Sequence, residues 1–194
     1  GLPLLDELVR ANLTALAQII KFNESRGIRF FRMSSGMFPH MSSNSLDDLP
    51  WRAEYTIARY RRELAACGKL ARGYGHRLTM HPGQYVQLGT LRDEVLAASV
   101  RDLQMHADIL TVMGMSDESV IVIHLGGHFE DRPVTLLRFE ARLSELSLVI
   151  RKYLVLENDE TWDALEILPV CQRTRTPLLI DFFHHIVNGK DRFD

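Results

Sequence analysis

Five side chains of metal-ligating type stand at or just after the ends of apolar stretches of the chain. They are His81 after RLTM, His124 after VIVI, Glu157 after LVL, Asp181 after PLLI, and His184 three residues further on. Imidazole and carboxylate groups together suit Zn²⁺ or Mn²⁺. Carboxylates buried beside imidazoles are costly unless a cation pairs with them. The set therefore predicts a divalent-metal site, although each residue taken alone also fits an ordinary structural role.

The sequence leaves two classes of reaction open for such a site. Adjacent cations bridged by a carboxylate can activate water and stabilise the leaving oxygen in phosphodiester cleavage. Glu157 is the predicted bridging ligand and catalytic residue, because it lies centrally in the ordered set. A sugar isomerase or epimerase on a similar barrel also binds divalent metals, so spacing alone does not separate the two. The sequence shows no Ser–His–Asp arrangement and no phosphate-binding P-loop.

Alternating helical and strand patterns must position these side chains. Apolar residues at three-to-four spacing predict helices over residues 5–20, 57–67, 95–113 and 136–150, with a short one over 162–168. Strands are predicted over 28–33, 77–80, 120–123, 153–156 and 177–180. Strict alternation with apolar strands implies a parallel sheet covered by helices. No GxGxxG follows the first strand, so a dinucleotide fold has no support, and a TIM (β/α)-barrel brings its strand ends together on one face.

Composition narrows the class of protein without naming a reaction. A formal net charge of −2 on 194 residues argues against a binding module that relies on a basic face. It argues less against a metallonuclease, whose acidic ligands lower the formal charge. Apolar runs stay well short of the ~18 residues that a membrane span needs. Cys67 and Cys171 have no CxxC spacing and are predicted to be reduced, partly buried thiols.

A series of motifs resembles that of the UV-damage endonuclease family. In order, the motifs are RFFRMSSGMFPH, RLTMHPGQY, DLQMHADIL, VIHLGG, LVLENDE and PLLIDFFHH, and NLTALAQIIKFN is similar to the first helix of that family. The likeness runs from about residue 12 to 186. HPGQY together with the END and D-x-x-HH motifs is specific, whereas any one of them alone is weak.

The resemblance implies a barrel related to endonuclease IV that nicks duplex DNA immediately 5′ of ultraviolet photoproducts. It implies two or three divalent metals in the complete protein, Mn²⁺ by preference with Zn²⁺ or Mg²⁺ as alternatives. By matching motif, the implied metal ligands are His81, His124, Glu157, Asp181 and His184. Gln84 and Tyr85 resemble the pair that probes the lesion, a role that an amide and an aromatic ring suit. UV-damaged DNA as substrate implies an intracellular protein, in the nucleus of a eukaryote or the cytoplasm and nucleoid of a bacterium.

Several positions depart from the pattern of that family. After the first strand the family commonly offers a ligand a few residues beyond His40, and Ser43 stands at that position here. Arg132 lies in GGHFEDR where the family often has Lys, so a phosphate contact there competes with an ordinary salt bridge.

The number of strands also departs from a closed barrel. Eight strands in typically ~200–250 residues close a TIM barrel, and the pattern gives five. We therefore expect one partial TIM-barrel domain over residues 1–194, with one strand placed before Gly1 and two after Asp194. A partial barrel has unpaired edges, so we expect an isolated chain of low stability that lacks a sharp cooperative melt. An inactive barrel remnant with an incomplete metal cluster is the second alternative to the endonuclease.

Overall fold

The computed structural model describes residues 1–129 and 131–188 and contains alternating helices and strands. Within those residues the strands are β1 Phe30–Met33, β2 Arg77–Met80, β3 Ile121–Ile123, β4 Leu154–Glu157 and β5 Leu178–Leu179. The α-helices are α1 Leu2–Ser25, α2 Arg61–Gly73, α3 Asp93–Val112, α4 Arg132–Glu145, α5 Leu148–Tyr153, α6 Ala164–Thr174 and α7 Phe182–Val187. Four short 3₁₀ helices lie between β1 and α2: Ser35–Met37, Asn44–Leu46, Arg52–Glu54 and Ile57–Tyr60.

The strands form a parallel sheet whose order follows the chain, β1-β2-β3-β4-β5. Phe30 lies opposite Arg77, and Leu156 lies opposite Leu178. All residues of β3 and β4 are buried, as the apolar runs in the sequence predicted. The predicted α/β class with five parallel strands is confirmed.

The predicted helix over residues 136–150 is two helices in the structure. Leu146 has an extended backbone, with ψ of 148°, and ends α4. The Ser147 hydroxyl then accepts a hydrogen bond from the Ile150 N–H and begins α5. The apolar spacing continues across the break, so periodicity alone did not reveal it. The helix predicted from Ile57 likewise begins as a 3₁₀ turn and becomes α2 only at Arg61.

The described chain divides into two compact units. The first comprises residues 1–81 and 104–120 and contains α1, α2, β1 and β2. Its helices pack through a fully buried apolar stripe on α1 that includes Leu16 and Ile20, and through Leu64 on α2. The Met80 N–H donates to the Val120 carbonyl at 2.9 Å, a contact within this first unit.

A charged network ties α1 to the segment before α2 in this first unit. The Asp6 carboxylate accepts hydrogen bonds from the Arg59 guanidinium at 2.6 and 2.8 Å and from the Tyr60 hydroxyl at 2.5 Å. The pKa of Asp6 is lowered to about 2, mainly by the hydrogen bonds from Arg59 and further by the hydrogen bond from Tyr60. Burial and the same carboxylate raise the pKa of Tyr60.

Asp6→Asn is expected to destabilise the chain by about 1 kcal/mol at pH 7, since a charge-assisted pair is lost. Because the folded pKa lies below the ordinary aspartate value of 3.8, the carboxylate stabilises the fold above about pH 4. That contribution disappears as the pH falls towards 2, so the variant and the parent should converge there. Urea unfolding at pH 7, 4 and 2 measures this, with exposed Glu7→Gln on the same helix as control. A difference that stays constant with pH would contradict the assignment.

The second unit comprises residues 82–103 and 121–188 as described, with β3, β4 and β5. Trp162 is fully buried and its indole N–H donates to the Gly126 carbonyl at 2.7 Å. Helix α6 begins with a capping box in which Asp163 and Glu166 satisfy each other's backbone N–H groups. A single domain over residues 1–194 stays a prediction.

Both cysteines, Cys67 and Cys171, are free and buried. Burial raises the pKa of the Cys171 thiol to about 11. Among the described residues there is no helix both long enough and apolar enough to cross a membrane.

Candidate metal centre

The strand ends carry the predicted ligands. His81 directly follows β2, His124 directly follows β3, and Glu157 is the last residue of β4. Asp181 lies two residues beyond β5, and His184 lies in the first turn of α7. Parallel strands share one carboxyl-terminal edge, which is the edge where α/β proteins bind their ligands.

Three of the five predicted ligands are grouped closely enough for one metal ion. His81, His124 and Glu157 each offer a ligand atom, and these atoms all lie within 4.8 Å of one another. The His124 Nε2 is 3.4 Å from the Glu157 Oε2. Glu157 is only 4% exposed, so its carboxylate lies in a buried position where a cation would compensate its charge. Asp181 and His184 are not part of this group of three.

The second nitrogen of His124 faces another carboxylate. Its Nδ1 lies 3.6 Å from the Asp159 Oδ2. The other oxygen of Asp159 accepts hydrogen bonds from the backbone N–H groups of Thr161 and Trp162 at 2.8 and 2.7 Å, which fixes the carboxylate in place. The 3.6 Å separation from the His124 Nδ1 is longer than a hydrogen bond, so Asp159 places a negative charge beside the His124 ring without fixing its tautomer.

His184 has the same kind of partner. Its Nδ1 lies 2.9 Å from the Glu160 Oε1, and because a carboxylate only accepts, Nδ1 is the donor in this hydrogen bond. The pKa of Glu160 is lowered, mainly by a backbone hydrogen bond and further by the hydrogen bond from His184. The rings of His184 and His124 meet edge-to-face at 5.6 Å. Sequence reasoning passed over Asp159 and Glu160, although LENDE places two further acids just after Glu157.

Asp181 performs the capping role that any aspartate before a helix can have. Its side chain accepts a hydrogen bond from the His184 N–H at 3.0 Å and caps α7. Asn158, which is fully buried, clamps the Asp181 backbone through two hydrogen bonds of 2.7 and 3.0 Å. A carboxylate has about four lone-pair sites, so capping leaves it capacity for a second role.

Gln84 and Tyr85 lie in an exposed turn. The Val86 N–H donates to the Gly83 carbonyl at 3.0 Å, and the Gln87 N–H donates to the Ser99 hydroxyl at 2.9 Å. The turn is thus held by its backbone, while 81% of Tyr85 is exposed. A large aromatic ring presented on an ordered turn is suited to stacking on a flat partner.

The segments in which this sequence departs from the family pattern contain His40, Ser43 and Arg132. His40 is exposed and has a positive φ of 58°. The Ser43 hydroxyl accepts from the Ser45 N–H and caps a 3₁₀ helix. Arg132 stacks over the Trp162 ring at 4.1 Å and forms a bidentate ion pair with Glu166. This is the salt-bridge role that competed with a phosphate contact.

These features define the class of the protein. It is an α/β protein of the TIM-barrel type, with candidate ligands at the carboxyl ends of parallel strands. A solved D-psicose 3-epimerase shares this fold, with a TM-score of 0.61 and 14% identity over 91% of this chain and 61% of that one. The predicted fold class, an incomplete TIM barrel, is confirmed.

The comparison with families is more specific. The model of the family described as UV-endonuclease UvdE matches residues 1–194, and the chain belongs to that family. The solved structure of SacUVDE superposes with a TM-score of 0.88 and 31% identity, over 96% of this chain and 62% of that one. The UV-damage endonuclease of Schizosaccharomyces pombe is 39% identical over 195 residues. Those residues are 97% of this chain and 31% of that relative, so the chain spans about a third of its length.

Proposed function

We propose that this chain carries part of the active site of an endonuclease that nicks duplex DNA immediately 5′ of ultraviolet photoproducts by metal-assisted hydrolysis. The observation that carries the proposal is the group formed by His81, His124 and Glu157 at the strand ends of a UvdE-family chain. The names of the relatives support DNA as the substrate. The chain spans less than two thirds of their length, so the activity is proposed for the longer protein.

The residues present fit a divalent cation. A buried carboxylate is grouped with two imidazoles, and such mixed donors suit Mn²⁺ and Zn²⁺ better than Mg²⁺, which prefers oxygen ligands. His81, His124 and Glu157 would hold one ion, and Asp181 and His184 would contribute further ligands to the two or three ions of the longer protein. We propose Mn²⁺ as the working ion. When bound, such an ion supplies Lewis-acid stabilisation of charge on a phosphoryl oxygen.

The side chains of this chain hold and orient that site. Glu157 places a buried negative charge at the centre of it and is the proposed bridging and catalytic residue. Glu160 holds the His184 ring through a hydrogen bond, and Asp159 places a negative charge beside the His124 Nδ1. Asn158 holds the Asp181 backbone, so β4 and the segment after β5 keep their carboxylates in a constant arrangement. Each of these contacts reduces the reorganisation that binding of a cation would otherwise require.

Gln84 and Tyr85 are the proposed lesion-probing pair. Their exposure on an ordered turn is what insertion beside a distorted base pair requires. The single aromatic ring of Tyr85 would stack on bases left unpaired by the lesion. A substrate of nuclear or nucleoid DNA places the protein inside the cell, in the nucleus of a eukaryote or the cytoplasm of a bacterium.

Glu160→Gln is expected to weaken Mn²⁺ binding about tenfold, because partners behind a ligating histidine typically contribute 10- to 100-fold in affinity. The amide keeps the volume of the side chain but loses the charge that favours a proton on the His184 Nδ1. Titration calorimetry with Mn²⁺ measures the effect, and exposed Glu145→Gln serves as the matched control. Equal affinities for the two variants would show that His184 is not a ligand.

The direct test is incision of an end-labelled duplex with one cyclobutane pyrimidine dimer, beside the same duplex without damage. The longer protein that contains this chain is assayed with Mn²⁺ and with chelator, and the S. pombe relative is the positive control. The proposal predicts a metal-dependent nick just 5′ of the dimer, and Tyr85→Ala should reduce the preference for the damaged duplex. Bound metal without any nick, while the relative cleaves, would favour the inactive remnant.

A further inference from the structure

We infer that Arg138 and Arg142 of α4 are positioning residues for the exposed turn that carries Gln84 and Tyr85. The inference rests on the proposed function, because it deepens the lesion-probing role given to that turn. Both arginines act through the backbone of the segment that follows the turn, at residues 88–90. That segment and α4 belong to the same compact unit of the chain.

The segment after the turn is a buried loop whose carbonyl groups are bound by guanidinium groups. Leu88, Gly89 and Thr90 are all buried and lie in the connection between β2 and α3. Buried carbonyls in a loop must find partners outside the ladders of helices and sheets. The Arg142 Nη1 donates to the Leu88 carbonyl at 2.8 Å and to the Thr90 carbonyl. The Arg138 Nη1 donates to the Gly89 carbonyl at 3.0 Å. Three consecutive carbonyls therefore accept charge-assisted hydrogen bonds from one helix.

Helix α4 presents one continuous face to this segment. Arg138 and Arg142 are four residues apart, so they lie on the same side of the helix. Thr135, three residues before Arg138, belongs to the same side. A Cβ at Gly89 would lie 3.2 Å from the Thr135 Cγ2, so the loop lies directly against the helix there. The arginine pair thus holds the loop along two turns of α4.

The held segment is directly connected to the exposed turn. Leu88 lies only three residues after Tyr85. Between them, the Gln87 N–H donates to the Ser99 hydroxyl at 2.9 Å, and the Gln87 Nε2 donates to the Gln84 carbonyl at 3.2 Å. Side chains that enter a duplex bind better when their backbone is already ordered, because ordering it on binding opposes association. The arginine pair should therefore affect recognition of damage rather than binding of metal.

Two substitutions of Arg142 separate its donors from its packing. Arg142→Met keeps much of the apolar stem and removes the hydrogen bonds to the Leu88 and Thr90 carbonyls. Arg142→Lys should restore them, because a single nitrogen makes both bonds and an ammonium group also has donors for two acceptors. Arg151→Met is the matched control, since it removes the same charge from an exposed position on α5.

Amide hydrogen exchange on the longer protein, without DNA or metal, tests whether the arginine pair orders the turn. Arg142→Met should accelerate exchange about tenfold in peptides that contain the hydrogen-bonded Val86 and Gln87 N–H groups, while β4 keeps its protection. Arg142→Lys and Arg151→Met should exchange like the parent. Unchanged exchange in the turn overturns the inference. So does equal acceleration in β4, which would mean a general loss of stability.

Incision kinetics on duplexes with and without one pyrimidine dimer test the role in recognition. Arg142→Met should lower the ratio of the two kcat/KM values about tenfold, because a group displaced from its productive geometry loses its effect, and should leave Mn²⁺ affinity unchanged. In Tyr85→Ala protein the same substitution should change the ratio no further, since both residues act through one turn. An unchanged ratio, or an equal loss in both backgrounds, overturns the inference.

The failure of the proposed function is distinguishable from the failure of this inference. A parent protein that does not nick the damaged duplex is recognised before any variant is compared, and the lesion-probing role of the arginine pair falls with it. A parent that nicks, with variants that keep the full preference for damage, would leave the endonuclease intact and remove only the role of Arg142.

Discussion

Glu157→Gln is expected to abolish metal-dependent incision, with a residual rate below about one-thousandth of the parent, as losses of central catalytic groups commonly are. Glutamine keeps the shape of the side chain and removes its charge. Glu157 is the buried anionic member of the group with His81 and His124, and its Oε2 lies 3.4 Å from the His124 Nε2. Neutralising it takes away the charge that would hold a divalent cation between imidazoles.

A readout without DNA separates loss of metal from loss of fold. A metal at a hundred times its dissociation constant stabilises a folded protein by about 2.7 kcal/mol. The parent should therefore unfold at a higher temperature with Mn²⁺ than with chelator, and Glu157→Gln should not. Without metal the variant should remain folded, because glutamine keeps the volume of the side chain and its capacity for hydrogen bonds.

The matched control is Glu145→Gln, which removes one carboxylate from an exposed position at the end of α4. It should keep both the nick and the metal-induced stabilisation. If Glu157→Gln retained the stabilisation by Mn²⁺, the ion would bind elsewhere and the proposed ligand set would be wrong. If it retained incision, Glu157 would not be catalytic.

The strand-end pattern was accessible from sequence because it depends on simple periodicities. Apolar runs such as those before His124 and Glu157 can only be buried strands in an alternating α/β chain, and parallel strands share an edge. The approximate positions of the five predicted ligands followed from that rule alone. The proposed roles of Gln84 and Tyr85 did not follow from it, since nothing but family resemblance separates these residues from an ordinary turn.

Contacts that depend on side-chain direction were not accessible. Asp159 and Glu160 follow Glu157 closely, yet only the structure shows that they face the second nitrogens of His124 and His184. The cap that Asp181 provides to α7 likewise depends on where the backbone turns after β5. The break at Ser147 was missed because a hydroxyl cap interrupts a helix without disturbing its apolar spacing.

Close approach of backbones is also invisible in sequence, and Gly68 on α2 is the clearest case. A Cβ at this position would lie 1.9 Å from the carbonyl oxygen of Met113 and 2.6 Å from its carbonyl carbon. The obstacle is backbone, which cannot rotate away as a side chain can. Helix α2 would have to move away from the Met113 segment and disturb the buried Leu64 and Ala71.

Gly68→Ala is therefore expected to destabilise the chain by about 3 kcal/mol, the upper range for overpacking. For a chain of this length that lowers the unfolding midpoint by about 6–12 °C. This loss of stability is opposite in sign to the usual effect of a glycine-to-alanine substitution, since alanine normally stabilises a helix relative to glycine by roughly 0.5–1 kcal/mol. Gly73→Ala, on the same helix with no atom near its Cβ, should be neutral or show that ordinary gain. Thermal unfolding of both variants measures the difference, and an unchanged or raised midpoint for Gly68→Ala would mean that α2 and the Met113 segment are not in contact.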